Sequence, residues 1–172
     1  MDPDGEDRRV AVRRGWAAPA TYGRGRANRL DPELYCSDIP TSYTICADHA
    51  KPFANDVIAE IVCSSVETSA RLLSHRLYAY CLMPDHLHVM ISAAESRTST
   101  SRFLQKMKSF TTNQYHELGG VGRLWQSSAR DSVLRGPEAL RDSIAYMLNN
   151  PVRAQLVPRW DMWPYSRLFF EL

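Results

Sequence analysis

No Cys-x-x-Cys pair occurs in this chain, although it carries four cysteines, Cys36, Cys46, Cys63 and Cys81. Their scatter lacks the paired-thiol spacing of zinc and redox motifs, and four thiols in 172 residues are too few for a disulfide framework. They read as small buried hydrophobes of a reducing compartment. No apolar run approaches a membrane span, and the first residues lack the apolar core of a signal peptide. A cytoplasmic protein without a membrane partner is therefore expected. An internal repeat is missing too, and so is a strong overall charge, the net value being +2.

Local charge is another matter. Arg8, Arg9, Arg13, Arg14, Arg24, Arg26 and Arg29 follow an acidic start with no acid among them. With Gly and Pro interspersed, residues 1–35 read as a disordered tail, either meeting phosphates through its arginines or simply solvated. Residues 36–172 are long enough for one domain with its own core.

Hydrophobic period divides that domain. Thr41–Ala47 alternates as a strand, and Phe53 to about Ser74 repeats as an amphipathic helix through Val57, Ile58, Ile61, Val62, Val66, Leu72 and Leu73. Arg76–Cys81 and His86–Ser92 are two strands joined by a Met-Pro-Asp turn. Thr98–Glu117 is a second helix, stopped by Gly119-Gly-Val-Gly122. A strand-like piece over Arg123–Leu134 precedes Gly136-Pro137, where a third helix begins and runs to about Asn149, closed by Pro151. The order β-α-β-β-α-β-α predicts an α+β fold: a ferredoxin-like β-α-β-β-α-β sheet with helices on one face, plus a C-terminal helix.

Strand geometry gives His86 and His88 one direction and Leu87 the other. Two imidazoles on one sheet face can hold a metal ion, or can be a partly buried pair with no such role. On the third helix Tyr146 and Asn150 are four apart and share a face, provided the helix persists before Pro151. A phenol, with an ordinary pKa near ~10, is a poor nucleophile unless a divalent metal polarises its target. Two histidines and an amide oxygen on Mg²⁺ or Mn²⁺ would do that for a phosphodiester, and Tyr146 would attack phosphorus.

His-Leu-His after Met-Pro-Asp resembles the metal motif of HUH single-strand endonucleases. Together with Leu124-Trp125-Gln126, Asp131-Ser-Val-Leu-Arg135, Tyr146-Met-Leu-Asn-Asn-Pro-Val-Arg-Ala-Gln-Leu-Val157 and Trp163-Pro-Tyr-Ser166, it is similar to the REP-associated tyrosine transposases, relatives of the IS200-type transposases. The resemblance covers roughly residues 40–168. It implies that His86 and His88 are metal ligands and that Asn150 stands where relatives place a third. It implies further that Tyr146 forms a 5′-phosphotyrosine with cleaved single-stranded DNA at hairpin-forming, REP-like repeats. Trp125 and Gln126 become scaffold or DNA surface, Arg135 and Arg153 phosphate contacts, and the protein a monomer or homodimer. Two departures stand out: Ser132 where many relatives have His, and Asp85 where Asn or Glu is frequent.

Tyr115 is a rival nucleophile, but it has Gly119 rather than Asn four residues on. His49, His75 and His116 read as surface or capping residues, and the aromatics after Arg159 as tail packing. A zinc hydrolase using Cys81 with the two histidines lacks a fourth ligand. The competing reading is a non-catalytic nucleic-acid-binding module descended from such a transposase.

Overall fold

The computed structural model describes residues 30–93, 96 and 98–169. The arginine-rich stretch lies outside them. Among the described residues five strands and four α-helices follow in order: β1 (Thr41–Cys46), α1 (Asp56–Leu72), β2 (Arg76–Met83), β3 (His86–Ser92), α2 (Thr100–Glu117), β4 (Arg130–Val133), α3 (Pro137–Leu148), α4 (Asn150–Arg153) and β5 (Ser166–Leu168). The sheet order is β4-β1-β3-β2-β5, with every neighbouring pair antiparallel. Its first four strands have the expected ferredoxin-like arrangement, with β3 central. Among the described residues, no helix is long and apolar enough to cross a membrane.

Alternation sorts the side chains between two layers. On β1, Thr41, Tyr43 and Ile45 are buried while Ser42, Thr44 and Cys46 are half-buried. Tyr43, Ile45, Tyr80, Leu82, Leu87, Val89 and Ile91 form one core with Ala59, Val62 and Val66 of α1 and Phe103, Leu104 and Met107 of α2. On the other face Cys81, Met83 and Met90 pack with Leu140, Ile144, Met147 and Leu148 of α3. Strict alternation on β2 breaks at a register shift between Leu77 and Ala79. Tyr78 and Ala79 consequently both serve the second core, and Tyr80 returns to the first.

Boundaries moved for local reasons. The first helix starts at Asp56 rather than Phe53, because the Asn55 side chain caps it by accepting from the Ile58 amide at 3.2 Å. Phe53 still enters the core, from a short 3₁₀ turn over Pro52–Ala54. Of the piece Arg123–Leu134, only Arg130–Val133 pairs as a strand, apart from a lone bridge between Trp125 and Ala47. Packed chain also begins before residue 36. Leu30 lies against the core, and buried Tyr35 donates its hydroxyl to Asp131. Gly136 has φ +91°, a conformation that favours glycine, and it turns β4 into α3.

Candidate active site

The β2–β3 turn lets His86 and His88 leave the central strand on the α3 side of the sheet. Direct cross-strand partners share a face, and the registers set Met83 and Cys46 beside His86, and Cys81 and Thr44 beside His88. The imidazoles meet edge to face, their Nε2 atoms 3.0 Å apart. Each remaining nitrogen is occupied: His86 Nδ1 by Asp85 Oδ1 at 2.6 Å, and His88 Nδ1 by the Thr44 hydroxyl at 3.0 Å. Such outer partners fix ring orientation and turn both Nε2 atoms to one point.

That point suits a metal. Two ligands ~2.1 Å from one ion stand ~3.0 Å apart when their bonds meet at a right angle, and ~3.4 Å apart at the tetrahedral angle. The observed 3.0 Å is a hydrogen bond between the two rings, and it leaves both Nε2 atoms close enough to serve one ion. Burial, with a contribution from His86 and against the pull of Asp85, pushes the His88 pKa down to about 4. A neutral imidazole with a lone pair is what a metal needs. Among the described residues, no group of three or more His, Cys, Asp or Glu side chains gathers to hold an ion. A third donor from the described residues would be of another type, such as an amide. Cys81 lies beside His88, and burial pushes its thiol up to about 12.

Tyr146 is carried by α3, the helix covering the same sheet face, and is 42% exposed. The third helix ends close to Asn149, as expected, but Pro151 does not close the helical run. It ends at Leu148, Asn149 keeps helical angles at the junction, and the chain turns helical again over Asn150–Arg153 with Pro151 in the first turn. Proline is tolerated there because first-turn amides need no intrahelical acceptor. Asn150 thus stays within helical geometry, and its Nδ2 is buried with no hydrogen-bond partner. Arg153 lies over the Tyr146 ring, its guanidinium carbon 4.3 Å from the centroid.

The other expected site residues separate. Trp125 is buried in the first core against Phe53 and donates Nε1 to Thr111 at 2.8 Å, which makes it scaffold rather than DNA surface. Gln126 is exposed and its amide pairs with the Cys46 carbonyl, extending the row that contains His86. Arg135 lines a small cavity of about 380 Å³ with Leu134, Gly136 and Leu140. Tyr115 belongs to α2 on the opposite side of the sheet, where its hydroxyl meets His49 Nε2 at 3.1 Å. His75 is buried near Phe103, not at the surface, because the strand begins immediately after it. Strand parity in β4 places one residue that sequence reasoning missed. Arg130 pairs with Thr44, as His88 does, so it shares their face, and Ser132 follows one row further on.

The comparisons with known proteins agree with the fold. Residues 41–129, just over half of the chain and including both histidines, match the family model "Transposase IS200 like". A Haemophilus influenzae protein named "Putative REP-associated tyrosine transposase" is 26% identical over 136 residues, covering 71% of this chain and 74% of that one. The fold superposes on the solved "REP associates tyrosine transposase bound to a REP hairpin" with a TM-score of 0.66 at 16% identity, over 80% of this chain and 81% of that chain. This chain belongs to the IS200-like transposase family and is therefore an enzyme that acts on DNA.

Proposed function

We propose that this transposase cuts and rejoins single-stranded DNA at hairpin-forming repeats, with Tyr146 as nucleophile and a 5′-phosphotyrosine as the intermediate. The observation that carries the reading is the convergence of two Nε2 atoms, 3.0 Å apart, on the sheet face covered by the tyrosine-bearing helix. The relative solved with a REP hairpin supports the choice of substrate.

His86 and His88 would hold Mg²⁺ or Mn²⁺, and Asn150 would complete the protein ligands. An ion bound there would withdraw charge from a nonbridging phosphate oxygen. Tyr146 then forms a bond to phosphorus as the bond to the 3′ oxygen breaks. The phenol proton passes to solvent, and the departing oxygen takes a proton from solvent to leave as a free 3′-hydroxyl. Because one phosphoester replaces another, attack by a new 3′-hydroxyl reverses the step without ATP. Asp85 and Thr44 keep the imidazoles aimed. Arg135 and Gln126 would meet the strand through its phosphates and unpaired bases.

The test is incubation of the protein with hairpin-bearing single-stranded DNA and Mn²⁺ or Mg²⁺, followed by denaturing electrophoresis. Wild type should give a covalent protein–DNA band, Tyr146→Phe none, and His88→Ala a yield lower by on the order of 100-fold. A band that survives in Tyr146→Phe overturns the nucleophile. Salt-sensitive binding without any band in wild type would make the chain a binding module instead.

A further inference from the structure

Arg153 is exposed, yet its guanidinium lies on the face of the Tyr146 ring rather than in solvent. At 4.3 Å from the centroid this is a cation stacked on an aromatic face. The two residues are seven apart and sit on either side of the break at Asn149, Tyr146 on α3 and Arg153 on α4. Tyr146 is 42% exposed, so part of its ring lies outside the core.

We propose that Arg153 is a positioning residue for the nucleophile, clamping the Tyr146 ring across the helix break instead of gripping a DNA phosphate. The inference rests on Tyr146 being the nucleophile. It gives the arginine two tasks. A stacked guanidinium stops ring rotation that must otherwise be lost before attack, which lowers the entropic part of the barrier. It also answers the flow of charge. Negative charge on the tyrosyl oxygen, shared with the ring, peaks between the neutral phenol and the finished phosphoester. A cation over the ring therefore favours the transition state above either end state, and that is the condition for raising a rate rather than tightening binding. The planar group matters as well as its charge, so lysine is only a partial substitute.

Arg153→Gln and Arg153→Lys are compared with wild type in single-turnover adduct formation on a hairpin-bearing oligonucleotide with saturating Mn²⁺. The expected result for Arg153→Gln is a maximal rate about ten-fold lower, with a dissociation constant within two-fold of wild type and an unchanged salt slope. Arg153→Lys should recover part of the rate. In ¹³C-tyrosine-labelled protein, the Tyr146 ring resonance, assigned through Tyr146→Phe, should shift in Arg153→Gln. A full maximal rate with weaker binding and a salt slope lower by about 0.7 would identify a phosphate contact and overturn the clamp. Equal rates in wild type and Arg153→Gln would overturn it too, leaving the nucleophile assignment standing. No adduct in wild type would overturn both, and a ring resonance still sensitive to residue 153 would then mark a contact without catalytic use.

Discussion

At the scale of single residues, the proposed site depends on atoms one step behind the two histidines. His86 and His88 are aimed by Asp85 and Thr44, and removing either partner should loosen one imidazole without deleting a donor. Asp85→Asn and Thr44→Val are each expected to weaken Mn²⁺ binding about 10- to 100-fold by calorimetry, while excess Mn²⁺ restores adduct formation. Tyr115→Phe, by contrast, should retain adduct formation, since its hydroxyl serves His49 on the far side of the sheet. The shared direction of the two histidines was legible from the period of a strand. Their partners were only half legible. Asp85 adjoins His86 in the chain, whereas Thr44 reaches His88 only once β1 pairs with β3, 44 residues away. Trp125 shows the converse, because an aromatic in a motif near the site has the same sequence signature whether it faces DNA or the core.

Helices α2 and α3 both dock by burying an apolar stripe, but on opposite faces and with different consequences. Met107 and Ile144 are both fully buried, one in each core. Truncating either to alanine should cost about 2–5 kcal/mol, which for a domain of this size lowers the melting temperature by roughly 2–4 °C per kcal/mol. Measured below both melting points, adduct formation should slow only in Ile144→Ala, because α3 alone carries Tyr146. Element order was readable from the sequence wherever a period of two or 3.6 ran long enough. Three-residue β5 had no such run, and it pairs with β2 by position: Trp163 donates to the Leu82 carbonyl and Tyr165 to Asp56. The pause at Asn149 could not be read either, since Pro151 announces a helix end and a helix beginning with the same residue.

Across the whole molecule, one sheet face is sealed by two helices and the other is shared between a core and a site. Buried histidines tie both to pH. Burial lowers the pKa of His75, and burial with His86 lowers that of His88 to about 4. As pH falls below the ordinary ~6.5, the unfolded chain takes up protons that the folded one refuses, so stability rises with pH across that window. Thermal melts in metal-free buffer should therefore lose stability from about pH 6.5 down to about 4, and a flat profile would contradict the burial of these rings. The 3.0 Å between the two Nε2 atoms has a consequence beyond catalysis. With His88 neutral, the two rings share a single hydrogen bond, whereas a bound ion would engage both nitrogens at once. Under the proposed metal role, Mn²⁺ should raise the melting temperature of wild type and leave His88→Ala unmoved. On that proposal the loaded enzyme would be the sturdier one, and a cell poor in the ion would hold less of it as well as a less active form.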